Sequence, residues 1–189
     1  LPAAVGGSTL VFQHIGEKAH LPCLPNFLAD HGYRTFSIVA EPPSFLNSDA
    51  ARRGMGFQRR VFAPEMDMTD RDGAWLSASA MFRQALAINA EMRTRGGEAP
   101  ILSHVFVTAG HFPYERNMSL RPDVVGMQPD DAVVRAWANG AHYNAVAAAR
   151  YVEAIRQDPE DRRDGSRLLR RGSKGHVPSA PDPQQSLEF

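Results

Sequence analysis

The segment Thr108-Ala109-Gly110-His111-Phe112-Pro113-Tyr114 places an imidazole directly behind an apolar run, Ile101 to Val107. An imidazole at the end of a strand can donate to a phosphate or sulfate oxygen. From the residues alone the favoured reading of His111 is a loop histidine bonded to backbone. His14, His20, His31, His104 and His142 have no mutual spacing that makes a metal-ligand pair, and His104, inside a strand, reads as a satisfied core residue. None is assigned to metal. Ser8-Thr9 follows Gly6-Gly7 in the manner of a nucleophile on a tight turn, yet no strand leads into it and no helix follows. Asp67, Asp70 and Asp72 have some of the spacing of a calcium loop, but its glycine and terminal glutamate are missing. They read instead as negative charge favoured at a helix N-terminus. The single cysteine, Cys23, excludes an internal disulfide and reads as a small packed residue.

The elements that must position His111 follow from apolar spacing and from breakers. Ile101 to Val107 is short and bounded by Pro100 and Gly110, the pattern of a strand buried on both faces. Ligands of open α/β sheets bind beyond the carboxyl ends of such strands. Leu24, Phe27 and Leu28 recur at helical spacing, with Pro25 in the first turn and Gly32 where a C-terminal cap belongs. Tyr33 to Val39 then reads as a strand, and helix, glycine and strand in succession favour a largely parallel sheet. Phe45 to Arg53 reads as a short helix closed by Gly54 and Gly56, and Arg60 to Phe62 as a brief strand. Ala74 to Arg93 carries a helical stripe of Leu76, Ala80, Met81, Leu86, Ile88 and Met92. Past a loop from Glu115 to Gln128, Asp130 or Asp131 caps a long helix whose apolar stripe runs through Val134, Trp137, Ala141, Ala145, Ala148, Val152 and Ile155. Thr9 to Phe12 is readable as a small edge strand or a loop.

With 189 residues, 43% of them hydrophobic and 22% charged, the chain has ordinary globular composition and room for one core. Lysine plus arginine and aspartate plus glutamate each number 21, so no global field points to nucleic acid. No stretch approaches the roughly 20 apolar residues that span a bilayer, and no basic-then-apolar leader stands at the N-terminus.

The order of motifs from about Leu21 to Ile155 resembles the catalytic domain of the sulfatase and lipoteichoic acid synthase branch of the alkaline phosphatase superfamily. The matching stretches are Leu24-Pro25-Asn26-Phe27 through Arg34-Thr35, then Ser44-Phe45-Leu46-Asn47 with Gly54-Met55-Gly56-Phe57, the His-Phe-Pro-Tyr segment, and Trp137 to Ile155. The resemblance implies a partial alkaline-phosphatase-like α/β sandwich over residues 1–157, a mostly parallel sheet flanked by helices. It implies that His111 lies near a substrate headgroup and that the loop carrying Asn47 borders the pocket, with Arg116 as a further contact. Glycerol phosphate transferases of this branch carry Phe-Trp-Asn-Arg where this chain has Phe45-Leu46-Asn47-Ser48. Leu46 and Ser48 supply neither the aromatic face nor the bidentate grip of an arginine. Arg52, Arg53 and Arg116 are the candidates for replacement charge.

The same resemblance implies a divalent metal (manganese, zinc, magnesium or calcium) that activates a threonine or serine and polarises a phosphate or sulfate ester, including a lipid-linked one. Its nucleophile is expected before Leu1 and its Gly-Asp-His metal segment after Gln157, so this chain is read as having no catalytic and no metal-binding residue of its own. Intact relatives are expected at the cell membrane, with the catalytic domain outside the cytoplasm and membrane helices in segments absent here. Residues 158–189 are charged and then rich in Pro, Ser, Gly and Gln, and read as a disordered tail where the family would place a strand. One permitted codon choice for Asp161 to Arg171, read one nucleotide later, encodes Thr-Val-Val-Met-Asp-His-Gly, so a slipped frame near Glu160 is an expectation the gene sequence tests. The rival class is a non-catalytic α/β anion-binding domain, which would be stabilised by an anion and indifferent to metal.

Overall fold

A computed structural model describes residues 22–126 and 131–158. The readings placed on Ser8, Thr9 to Phe12, His14, His20 and residues 159–189 lie outside them. The chain runs α1 (Leu24–Asp30), β1 (Arg34–Val39), a 3-10 turn (Phe45–Asn47), α2 (Ser48–Gly54), β2 (Arg59–Phe62), a hairpin of β3 (Arg71–Asp72) and β4 (Trp75–Leu76), α3 (Ala78–Gly96), β5 (Ile101–Phe106) and α4 (Ala132–Gln157). The described sheet is parallel, in the order β2-β1-β5.

β1 is the central strand because its sequence suits burial on both faces: only its first residue, Arg34, is not fully buried. Phe36 and Ile38 face α3 and pack against Ala80, Met81, Ala85, Ile88 and Met92, joined by Tyr151 of α4. Each large apolar side chain buried this way contributes about 1.5–3 kcal/mol. By the period of the pleat, Thr35 and Ser37 face the other side. Thr35 Oγ1 donates to the carbonyl of Gly56, and Ser37 Oγ accepts from Arg52 of α2. Val39 pairs with Phe62 on one side and with Phe106 on the other, so the strands end level and share one carboxyl edge. From β1 the chain crosses to β2, then returns past β1 to β5. The gap between β1 and β5 is therefore a topological switch point, where open α/β sheets leave a crevice.

Three sequence expectations change. β5 is not buried on both faces: its inner face packs on α3 through Ile101 and Val105, while Phe106 is 45% exposed. β5 lies at the edge of the described sheet, and Leu102, His104 and Phe106 line an open apolar groove of about 390 Å3 with Leu24, Met55 and Phe57. The long helix does begin at Asp131, whose carboxylate accepts from the amides of Val133 and Val134. Its expected stripe nevertheless faces outward, with Trp137 53% exposed, and the buried positions are Asn139 and Ala147. An alanine-rich helix offers more than one apolar face, and the hydrogen bonds of Asn139 select which one turns inward. Finally, α3 starts at Ala78 with Ser77 as its cap, since Trp75 and Leu76 belong to the hairpin. Asp67, Asp70 and Asp72 thus precede the helix and do not stand in its first turn.

Candidate functional site at the carboxyl edge of the sheet

The loops leaving β1 and β5 flank the switch point. Among the described residues the non-glycine positions with positive φ all fall in these loops: Leu46 (49°) and Asn47 (58°) after β1, and Tyr114 (63°) after β5. Asparagine tolerates the left-handed region, whereas Leu46 and Tyr114 adopt it at a cost of order 1–3 kcal/mol each. Backbone strain of this kind clusters at functional sites.

His111 is exposed at the mouth of the β5 loop. Its Nδ1 lies 2.8 Å from the carbonyl oxygen of Phe112. A carbonyl only accepts, so Nδ1 carries a proton and Nε2 is the nitrogen left to face a ligand. In the neutral ring Nε2 is an acceptor; it becomes a donor to an oxyanion only when the ring holds both protons. The loop's start is fixed by Asn144 Nδ2, which donates to the carbonyl of Ala109 at 2.7 Å. The indole of Trp75 covers the His111 ring, with centroids 5.2 Å apart and planes at 55°.

Trp75 reaches that position because its hairpin is clamped to the β5 loop. Arg121 Nε donates to Asp72 Oδ1 and Nη2 to Asp70 Oδ1, both at 2.7 Å. Asp72 Oδ1 also accepts from the amide of Asn117, and Asp70 Oδ2 accepts from the hydroxyl of Ser77, the α3 cap. Burial alone would raise the Asp70 carboxyl, but hydrogen bonds from Arg121 and Ser77 outweigh it and hold the group below its ordinary value of 3.8. The turn between β3 and β4 needs glycine: Gly73 has φ +60°, and a Cβ there would overlap Glu115 of the β5 loop.

Arg116 is placed differently from its expected role. Its side chain is 4% exposed and donates to the carbonyls of Arg121 and Ala136 and to Asp123, so it braces the loop. Arg52 is likewise buried, and Arg53 pairs with Asp49 on the surface of α2. Asn47 stands at the start of α2, beside Ser48.

Below that turn runs a polar chain that sequence spacing did not reveal. Ser48 and Arg52 both donate to Glu41, and Arg52 Nε donates to Ser37 Oγ at 3.1 Å. Ser37 Oγ is 2.9 Å from His104 Nδ1. Since Arg52 cannot accept, fully buried Ser37 is satisfied when its hydroxyl donates to Nδ1, which puts the proton of neutral His104 on Nε2. His104 therefore has a partner, as expected, but lies on the open groove and not in a core. Its Nδ1 side sits against buried Ser37, and that desolvation, with the nearby Arg52 charge, depresses its pKa below the ordinary 6.5. The unfolded chain thus binds a proton first, and stability should fall as pH drops through about 6.5. Urea unfolding at pH 7.5 and 5.5 should show this loss, and His104→Gln should flatten it; an unchanged slope in the variant assigns the effect elsewhere.

No protein-family model and no curated protein matches the chain by sequence. Solved structures do match. The crystal structure of the lipoteichoic acid synthase LtaP from Listeria monocytogenes superposes with a TM-score of 0.69 at 15% identity, covering 79% of this chain. A protein of the alkaline phosphatase superfamily from Vibrio parahaemolyticus gives 0.61 at 18% identity, again over 79%. The chain shares the fold of the matched part of these two structures. This chain spans 36% and 35% of those two structures, so it represents about a third of their alkaline-phosphatase-like architecture. Among the described residues no three His, Cys, Asp or Glu side chains converge as a metal set. The described part of this alkaline-phosphatase-like fold therefore does not fit a metal by itself. No helix among the described residues is long and apolar enough to cross a membrane.

Proposed function

We propose that this chain is the headgroup-binding part of a metal-dependent, sulfatase-like enzyme that hydrolyses or transfers a phosphate or sulfate ester at the cell envelope. The observation that carries this reading is His111, on the loop that leaves the carboxyl end of β5, with Nδ1 committed to the Phe112 carbonyl so that Nε2 remains for a ligand. Asn47, at the end of the β1 loop and the start of α2, is the second proposed contact. Within the whole polypeptide a divalent metal would polarise the ester and activate the nucleophile. This chain supplies the hydrogen bonds that hold the headgroup. By itself it is expected to bind the anion without turning an ester over.

The test is titration of the chain with inorganic phosphate, sulfate and glycerol phosphate by calorimetry. A charge-assisted hydrogen bond contributes about 1.5–3 kcal/mol, so His111→Ala should weaken binding by roughly tenfold or more. Asn47→Ala should have a smaller effect. Absence of saturable binding, or binding indifferent to His111→Ala, overturns the reading.

A further inference from the structure

We infer that Trp75 is a positioning residue for His111, and that the β3–β4 hairpin exists at this edge to seat it there. The inference rests on the proposed anion site. His111 is an exposed loop side chain, and its polar tie, Nδ1 to the neighbouring Phe112 carbonyl, is made within its own loop. That bond selects the tautomer, but it moves with the loop and does not locate the ring relative to the sheet. The contact that does is the Trp75 indole at 5.2 Å, from a separate element.

Trp75 itself is held from both sides. Next to it Leu76 is fully buried in the core below the sheet, and through β3 Asp72 is tied to buried Arg121 and to the amide of Asn117. A two-residue strand pair has little stability of its own. Here it is pinned between the core and the β5 loop, so its geometry is set by the fold. An imidazole packed against such a surface loses rotamer freedom before a ligand arrives, and an anion then binds without that ordering cost. At 55° the two rings are tilted and not stacked face to face.

The test uses the whole chain with inorganic phosphate as probe and three variants: Trp75→Ala, Trp75→Phe and His111→Ala. Trp75→Ala should weaken phosphate binding about threefold to tenfold, the range expected when one side chain must be ordered on binding. It should also shift the His111 Hε1 resonance, since the imidazole now packs beside an indole. Trp75→Phe, which keeps an aromatic face, should restore most of the affinity. A role confined to stability would lower the unfolding midpoint and leave the His111 signal and the affinity of the folded fraction alone. Unchanged affinity and an unmoved His111 resonance in Trp75→Ala overturn the inference, even if His111→Ala abolishes binding. If the wild-type chain binds no phosphate, the reading of the site fails, and the His111 resonance still decides whether Trp75 governs that ring.

Discussion

Replacing Arg121 with methionine is expected to destabilise the chain by about 3–5 kcal/mol, the cost of removing one partner from a buried ion pair. Arg121 and Asp72 are both buried, and one guanidinium serves two carboxylates and the carbonyl of Arg71. Methionine fills similar volume but leaves Asp72 in place without its counter-ion. Urea unfolding should show a lower midpoint with an unchanged slope, the mark of lost stability in place of altered compactness. The triple variant R121M/D70N/D72N should recover part of the loss, because neutral side chains are cheaper to bury than unpaired charges. A single variant within about 0.5 kcal/mol of wild type would show that water reaches the cluster. The same clamp sets an acid limit. The Asp70 carboxyl is depressed, so its contribution is complete above about 3.8 and lost as pH falls below that value. In the folded fraction of Arg121→Met, the hairpin should loosen and Trp75 should quit His111, which links this stability effect to anion affinity.

The second large effect is expected at Asn139. Its side chain is fully buried within α4 and makes four hydrogen bonds to backbone. Oδ1 accepts from the amides of Val124 and Val125 at 2.7 and 2.8 Å, and Nδ2 donates to the carbonyls of Val125 and Arg135. Asn139→Leu keeps the branching at Cγ, with bulkier methyl groups, and removes the partners of two amides. With an unsatisfied buried group costing about 1–3 kcal/mol, the expected loss is roughly 2–5 kcal/mol. Hydrogen exchange locates it: the amides of Val124 and Val125 should become fast exchangers while those of β1 stay protected. Protection retained at both valines would mean that the loop has other anchors.

Much of the scaffold was legible along the chain. Leu24, Phe27 and Leu28 at helical spacing, closed by Gly32, became α1, and the apolar runs at Tyr33 and Ile101 became adjacent parallel strands. Such elements are readable because each is decided by side chains a few positions apart. His111 was legible for the same reason, as an imidazole just past a strand. The clamp was not. Arg121 lies 49 residues from Asp72, and Ser37 lies 67 from His104, so no local spacing announces either pair. The aspartates looked like helix N-terminal charge because that role needs only neighbours in sequence. Asn139 looked like one polar residue on an apolar helix, and its partners lie in a loop 14 and 15 residues away.

By itself, then, the sequence determined the helices and strands, their parallel arrangement, and a histidine at the carboxyl end of a strand. Those features follow from periodicity, breakers and the succession of helix, glycine and strand. Tertiary structure alone decided which face of α4 turns inward, which face of β5 stays open, and what holds the His111 ring. The physical reason is burial. A charge or amide removed from water must find a partner, and the chain's path through space, more than spacing along it, determines which groups meet.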